Sequence, residues 1–357
     1  MTKLGVICVM GKRCNRYIWS LVVVIILLGV LLPISVQAKT TPNNNIGFSV
    51  VAQLPDNQVD MKNSFFDLKM RSEQQQTLKV KIYNATKRDI KVKMGIHTAY
   101  TNNNGVIEYM TPATKFDSSL RYRLDKVTQI EGDSVVTVPA NDSKVVMAKV
   151  QIPTTNFEGV MLGGWHFRKV EEKVTSNVKE SLNIKNQYAY VIGMKYSFGK
   201  APQPELTLTN VTSGLENYRQ SIFVNLRNPS AVIIPDVKLT TVITNRATKK
   251  LVKAVKKSGV QMAPNSSYQY PILTGNTGLE AGKYHLRMVA KNKAHQWVFE
   301  KDFTITAKEA KKYARESVDT KVISPYWFVL IGAFLMLIVG GVLVWLVIVI
   351  KRRKQAD

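Results

Sequence analysis

The feature that most constrains this chain is a two-residue alternation of apolar and polar side chains that recurs along most of its length. In the segment TLKVKIYN, Leu78, Val80 and Ile82 share one face, whereas Lys79 and Lys81 occupy the other. A period of two places every second side chain on the same face of a β-strand. Because short segments of this kind are separated by turn signals such as NNNG, PAND and EAGK, the sequence predicts an all-β fold of sandwiches.

The stretch between the two ends of the chain is long enough for two domains. We predict tandem immunoglobulin-like β-sandwiches over residues 39–175 and 176–306. The strand over 187–198 lies beside this boundary, and the sequence leaves open whether it closes the first sandwich or opens the second. Helical periodicity occurs only after the last strand, so residues 307–325 are predicted to form a stalk with a short helix.

The N-terminal segment has the pattern of a secretory signal peptide. Four basic residues and no acid precede the apolar run from Tyr17 to Leu32, and small residues follow Pro33. This arrangement predicts a signal peptide over residues 1–38 with cleavage after Ala38; the alternative is an uncleaved anchor. Both cysteines, Cys8 and Cys14, precede the apolar run, so the mature chain would contain no disulfide.

A second apolar run lies near the C-terminus. Residues 326–350 carry no charge and are followed at once by the basic residues of the tail, 351–357. A run of this length is sufficient to cross a bilayer, and positive charge marks the cytoplasmic side. The sequence therefore predicts a single-pass protein of the cell membrane, with a cytoplasmic C-terminus and residues 39–325 outside the cell.

The chain is strongly basic, with a net charge of +25, and only eight of its 50 lysines and arginines lie in the two terminal segments. A basic outer part attracts polyanions, which outside a cell membrane would be anionic wall polymers or anionic lipid head groups. Nucleic acid suits the charge but not the predicted compartment. A basic surface with no particular partner is the alternative interpretation.

The segment GVMLGGWHF, residues 159–167, resembles a reactive site because His166 follows Trp165 and two glycines. Catalysis by a histidine requires a nucleophile or an orienting carboxylate within hydrogen-bonding reach. The sequence contains no nucleophile motif, and the mature chain has no thiol. We therefore predict no catalytic residue, and we interpret the segment as a strand whose glycines allow close packing beside a core tryptophan.

No metal or cofactor site is predicted, because no cysteine or histidine pair has ligand spacing and the acidic residues are dispersed. The segment NNNG is typical of a hairpin turn. It is flanked by two tyrosines, and aromatic faces beside amides suit wall sugars or peptides. The predicted wall-binding residues are therefore Tyr100, Asn102, Asn104 and Tyr109.

A second candidate contact surface lies in the segment APNSSYQYPIL, residues 263–273, which has prolines on both sides of Tyr268 and Tyr270. Proline is typical of edge strands, and an open edge binds extended partners by strand addition. Tyr268 and Tyr270 are accordingly the candidate partner-binding residues. The alternative is that both tyrosines cover the core of their own domain.

The order of these segments resembles that of the WxL-interacting protein family of Gram-positive bacteria. In the first domain the resemblance is carried by residues 54–70, 100–109, 150–167 and 188–194, and in the second by residues 215–233, 261–272, 279–291 and 297–305. Trp165 departs from the pattern, since a smaller aliphatic residue is expected there. The resemblance covers most of the chain.

The resemblance implies that the first domain contacts peptidoglycan and that the second captures WxL-type surface proteins. The protein would then be a non-enzymatic, membrane-anchored adaptor of the cell surface. Two alternatives remain: a chaperone-like or adhesin ectodomain that adds β-strands to its clients, and a cell-wall-modifying enzyme. The enzyme is disfavoured because residues 39–325 contain no recognisable catalytic constellation.

Overall fold

The computed structural model of the chain describes residues 47–170, 188–275, 278–318 and 325–354. The predicted signal peptide over residues 1–38, its cleavage position after Ala38 and the last three residues of the basic tail lie outside these ranges. The two sandwiches of the structure lie within one compact unit, Ile46–Asp357.

Eleven strands and a short helix make up the first sandwich and a small hairpin attached to it. Their bounds are β1 (Phe48–Gln53), β2 (Phe66–Lys69), β3 (Gln75–Asn84), β4 (Ile90–Thr98), β5 (Tyr100–Thr101), β6 (Ile107–Glu108), α1 (Leu124–Val127), β7 (Thr128–Ile130), β8 (Val135–Val138), β9 (Ser143–Gln151), β10 (Gly159–Val170) and β11 (Ala189–Phe198). One sheet has the order β1-β3-β9-β7 and the other β2-β11-β10-β4-β8, while β5 and β6 pair only with each other.

Seven strands form the second sandwich. Their bounds are β12 (Thr207–Glu216), β13 (Arg219–Asn228), β14 (Ile234–Asn245), β15 (Leu251–Met262), β16 (Ser266–Leu273), β17 (Gly282–Lys291) and β18 (Gln296–Ile305). A three-stranded sheet, β12-β13-β16, faces a four-stranded sheet, β15-β14-β17-β18. Each sandwich is closed by its own apolar cluster between the two sheets.

The alternation in the sequence corresponds to burial in the structure. Leu78, Val80 and Ile82 on β3 are buried in the first core, and Lys79 between them is exposed. Burial removes each apolar side chain from water. This stabilises the folded chain by about 25 cal/mol per Å² of apolar surface buried. The prediction of a mostly β-stranded chain is confirmed.

The strand that the sequence left unassigned belongs to the first sandwich. β11 pairs with β10 along its whole length, and Met194 to Ser197 of β11 pair in parallel with β2. This strand therefore completes the first sandwich, although it follows the boundary predicted between residues 175 and 176. The physical reason is that β10 satisfies one edge of β11 and β2 satisfies the other over residues 194–197, and periodicity alone does not reveal these partners.

Two helices follow the last strand. α2 (Ala307–Glu316) begins with a capping box in which Thr306 and Glu309 satisfy each other's backbone N–H groups. Ala310 and Tyr313 of this helix pack against the second core, so α2 is seated on the domain, whereas the sequence predicted a stalk.

The last helix, α3, runs from Pro325 to Lys354, and several of its side chains lie outside the description. Over the residues that the structure describes, no helix is both long enough and apolar enough to cross a membrane.

Candidate functional site

The β5–β6 hairpin is the element around which the two sandwiches meet. The side-chain oxygen of Asn102 accepts the backbone N–H groups of Asn104 at 3.0 Å and Val106 at 3.3 Å, which closes the turn. Gly105 adopts a φ of 74°, a conformation that favours glycine. The NNNG segment is thus a hairpin turn, and the acceptor atom of Asn102 is already used within it.

This hairpin of the first sandwich is bonded to the second. The hydroxyls of Thr101 and Ser266 lie 2.7 Å apart, and the backbone N–H of Ala263 donates to the Thr101 hydroxyl at 2.9 Å. The carbonyl of Gly105 accepts the N–H of Gln261 at 2.8 Å. Since these groups are buried or backbone atoms, the contact fixes the hairpin on strands β15 and β16.

An ion pair also joins the two sandwiches. Arg227 of β13 donates to both carboxylate oxygens of Asp117, at 2.7 and 2.6 Å, and the Asp117 side chain is only 3% exposed. Burial alone would raise the pKa of Asp117, but hydrogen bonds from Arg227, Ser267 and Ser119 outweigh it and hold the pKa well below its usual range. The two sandwiches are therefore joined by a charge-assisted bidentate bond.

A cleft of about 660 Å³ opens beside this ion pair, with walls from both sandwiches. The first sandwich contributes Tyr100 and Asn103 of the hairpin and Phe116 of the following loop. The second contributes amides from the outer face of the sheet β12-β13-β16. Most of the lining side chains carry amides or hydroxyls, so the cleft is polar without being strongly charged.

The amides on the second wall form a row across three strands. Asn210 of β12 lies opposite Asn225 of β13, and Asn225 lies opposite Gln269 of β16. We call these three residues the amide row. Asn210 and Gln269 are exposed and Asn225 is half-buried. Sequence reasoning missed the row because its members are far apart in the chain; the only local signal was an amide at an outward position of each strand.

The four predicted wall-binding residues are not brought together. Tyr100 lines the cleft, half-buried, whereas Asn102 holds the turn and Asn104 is exposed at its tip. Tyr109 lies against the outer face of the sheet that contains β10. A Cβ added to Gly164 of β10 would lie 3.0 Å from the Cβ of Tyr109. The hairpin therefore places Tyr100 and Tyr109 on different surfaces, and the four residues do not form one continuous patch.

The two predicted partner-binding residues are buried. Strand β16 does lie at an edge of its sheet, but Tyr268 is 0% and Tyr270 4% exposed, and both belong to the second core. Burial raises the pKa of Tyr270 to about 12. This burial supports the alternative interpretation, in which both tyrosines cover the core of their own domain. The outward positions of β16 are taken by residues such as Ser267 and Gln269.

The GVMLGGWHF segment is β10, at the centre of its sheet. Trp165 is fully buried, and His166 lies on the opposite face with its ring 6.0 Å from that of His97. Desolvation lowers the pKa of both imidazoles, and the neighbouring His97 lowers that of His166 further. We call His97 and His166 the histidine pair. The surroundings of the histidine pair do not indicate a chemical role for either residue.

The glycines of β10 allow close approach of other segments. A Cβ on Gly163 would lie 2.5 Å from the carbonyl oxygen of His97, and one on Gly159 would lie 2.4 Å from the carbonyl oxygen of Ala231 in the second sandwich. The Ala231 carbonyl also accepts the N–H of Val160 at 2.7 Å. These contacts agree with the interpretation of the segment as a packed strand.

A second cleft, of about 450 Å³, lies on the first sandwich near α1. Its cations are Arg121, Arg123, Lys126 and Lys149. Asp125 is bound to Arg123 at 2.5 Å, which leaves an excess of positive charge. We call this the basic cleft. Among the residues described, no group of three histidine, cysteine, aspartate or glutamate side chains could hold a metal ion.

The fold defines a class: a tandem β-sandwich protein with polar clefts at its surface. Residues 48–169 match the family model described as "WxL Interacting Protein, peptidoglycan binding domain", and residues 179–315 match "WxL Interacting Protein, host binding domain". The chain belongs to the WxL interacting protein family. The second match begins before β11, although that strand pairs within the first sandwich.

Solved structures resemble the chain only distantly. A chain from a chaperone–tip adhesin complex of CFA/I fimbriae biogenesis is 13% identical, with 71% of this chain and 98% of that chain covered and a TM-score of 0.32. The PapD-like domain 7 of human CEP192 is 10% identical, with 48% and 99% covered and a TM-score of 0.27. Scores this low carry no argument about function. No curated protein sequence matches the chain.

Proposed function

We propose that this protein is a non-enzymatic, membrane-anchored adaptor at the surface of a Gram-positive cell. Its first sandwich would bind peptidoglycan, and its second would capture WxL-type surface proteins. The observation that carries this proposal is the presence of both family domains, in this order, in one chain. Because the family describes its second domain as host binding, a host surface protein is the competing partner for that domain.

The junction between the sandwiches supports an adaptor. Three separate contacts hold the domains together: the hairpin on β15 and β16, the Asp117–Arg227 pair, and the bond from Val160 to Ala231. A rigid connection transmits the position of a wall-bound domain to its neighbour. A partner held by the second sandwich would then sit at a fixed distance from the wall.

Membrane anchoring is proposed from the sequence. The uncharged run over residues 326–350 and the basic residues after it are typical of a stop-transfer segment with a cytoplasmic tail. Together with a signal peptide cleaved after Ala38, this would place residues 39–325 outside the cell. Protease treatment of intact protoplasts should remove the outer part and leave a short membrane-bound fragment; complete protection would contradict this orientation.

We also propose that both sandwiches are immunoglobulin-like. In the second, the first, second and fifth strands form one sheet, and the fourth, third, sixth and seventh form the other. This order is the immunoglobulin arrangement with one strand moved to the opposite sheet, which supports the proposal. Domain limits of 47–198 and 206–318 would follow, with the proline-rich segment 199–205 as the linker.

Anionic wall polymers are proposed as an additional ligand of the first sandwich. The basic cleft supports this because four cations line it, and Asp125, which binds Arg123, neutralises only one of them. Exposed cations attract polyanions over a distance set by ionic strength. This contact would add to peptidoglycan binding without requiring catalysis.

The adaptor function is tested with the full chain in detergent. Purified cell-wall sacculi and a surface-protein extract are offered separately, and bound material is identified by mass spectrometry. Retention on sacculi together with capture of WxL-type proteins is the expected result. Capture of host surface protein alone would show that the second sandwich binds a host protein and not WxL-type proteins. Release of sugar or peptide from the sacculi would show that the protein is an enzyme.

A further inference from the structure

We propose that the cleft between the two sandwiches binds a neutral, amide-bearing oligosaccharide, with the amide row as its hydrogen-bonding wall. This inference deepens the proposed wall-binding function and rests on it. It assigns part of the glycan contact to the second sandwich, whereas the family division gives wall binding to the first alone.

The first reason is that the amide row is free to bind. Among the described residues, neither the Asn225 nor the Gln269 side chain has a hydrogen-bond partner in the protein, and Asn210 only accepts a long bond from Thr209 at 3.4 Å. A primary amide carries two donor hydrogens and one acceptor oxygen. Three such groups in register across neighbouring strands therefore offer a repeated pattern of donors and acceptors along one line.

The second reason is that the opposite wall carries aromatic rings. Tyr100 lines the cleft half-buried, and Phe116 also lines it, with the Arg123 guanidinium 4.4 Å from the Phe116 ring centroid. Because Arg123 covers one face of Phe116, Tyr100 is the better platform for a ligand. Apolar and aromatic surface opposite a few convergent polar groups is typical of small-ligand sites.

The third reason is the charge of the cleft. Asp117 and Arg227 line it, but they neutralise each other through two hydrogen bonds. Lys115 is the one other charged residue among the described lining residues. A nearly neutral cleft has little preference for a polyanion, which is instead suited to the basic cleft on the first sandwich. The remaining choice is a neutral ligand rich in hydroxyls and amides.

The volume agrees with this assignment. About 660 Å³ lies within the range of roughly 300–1,000 Å³ that is usual for small-ligand sites. A glycan with N-acetylated sugars presents hydroxyls to the amide row and the flatter faces of its rings to Tyr100. An extended peptide is the competing ligand, because it also offers amides, but it would not need the tyrosine ring.

The test uses the full chain in detergent and a short β-1,4-linked N-acetylglucosamine oligomer, with binding followed by calorimetry. The double substitution Asn225→Ala with Gln269→Ala should weaken binding roughly tenfold, since two hydrogen bonds are lost. Tyr100→Ala should weaken it by a similar factor, and Tyr100→Phe should retain it. Gln53→Ala with Gln296→Ala is the matched control, because it removes two exposed strand amides elsewhere.

The outcomes separate the cleft from the adaptor function. If the wild-type chain binds both sacculi and oligomer and the amide-row variant loses the oligomer, the proposal stands. If that variant binds the oligomer like the wild type, the cleft is not the site, and retention on sacculi decides the adaptor function independently. Binding of an uncharged peptide in place of the oligomer, or of neither, overturns the proposal. Thermal melting checks that each variant is folded.

Discussion

Arg227 of the second sandwich binds both carboxylate oxygens of Asp117 of the first, at 2.7 and 2.6 Å, in a position where the Asp117 side chain is almost fully buried. A bidentate bond of this kind fixes direction as well as distance. The pair therefore holds the two sandwiches in one orientation, and both of its residues line the cleft between them.

We predict that Asp117→Ala destabilises the outer part by about 2 kcal/mol, because hydrogen bonds to a charged group are lost and Arg227 keeps only its bond to the Ser118 hydroxyl. Chemical denaturation measures the change, and small-angle X-ray scattering should show a more variable distance between the sandwiches. Asp302→Ala is the control, since it breaks an exposed ion pair with Arg246 and should leave the junction unchanged. An unaltered denaturation midpoint in Asp117→Ala would contradict the prediction.

Gly105→Ala should destabilise the junction more than Gly132→Ala. Both glycines have a positive φ, at 74° and 78°, so alanine is strained at either position by roughly 1 kcal/mol. A Cβ at Gly105 would also lie 2.9 Å from the Tyr268 hydroxyl, whereas nothing lies within 4 Å of one at Gly132. Urea denaturation of the two variants isolates this contact. Equal losses of stability in the two variants would show that the hairpin accommodates the added methyl group without a free-energy penalty.

Tyr268→Phe and Tyr268→Ala should differ sharply. The ring is fully buried in the second core, so its removal should cost about 3–5 kcal/mol. The hydroxyl has no hydrogen-bond partner among the described residues, so phenylalanine should leave stability unchanged or raise it slightly. Thermal melting followed by circular dichroism measures both. A stable Tyr268→Ala variant that loses its partner would restore the surface role predicted from the sequence.

The histidine pair should make the protein less stable in mild acid. Desolvation lowers the pKa of His97 and His166 below the unfolded value near 6.5, so below that pH the unfolded chain binds more protons than the folded one. The contribution of the neutral histidine pair to the free energy of unfolding should be complete above that pH. It should be lost as the pH falls through the pKa values of the folded state. Replacing both histidines by glutamine should flatten the dependence between about pH 7.5 and pH 5.5, measured by chemical denaturation. An unchanged slope would rule out the pair as its source.

Binding of an anionic wall polymer should depend on salt and on the basic cleft. Lys126→Ala with Lys149→Ala removes two cations from the cleft and should weaken binding a few-fold at low ionic strength, since exposed pairs contribute about 0.2–1 kcal/mol each. Lys253→Ala with Lys256→Ala on β15 removes the same charge from the second sandwich and is the control. Sedimentation with purified teichoic acid, repeated at rising salt, measures the effect. Salt-independent binding would show that the charge of the cleft is incidental.

Local patterns predicted the strands well because alternation is a local signal. The inward positions Leu78, Val80 and Ile82 follow directly from the period of two, and the NNNG turn follows from the backbone preferences of Asn and Gly. The family resemblance was likewise carried by short motifs in order, and the matches over 48–169 and 179–315 confirm it. These features need no knowledge of which strands are neighbours.

The site depended on what lies far apart in the chain. Alternation predicts that Tyr268 and Tyr270 share a face of their strand. Only the packing of the two sheets decides that this face is buried in the core. In the same way, Asn210, Asn225 and Gln269 became a row through strand pairing, and Tyr100 joined them because the hairpin docks on the second sandwich. The sequence by itself determined strands, turns and family, whereas the pairing of distant backbone groups decided which side chains are buried and which meet across the cleft.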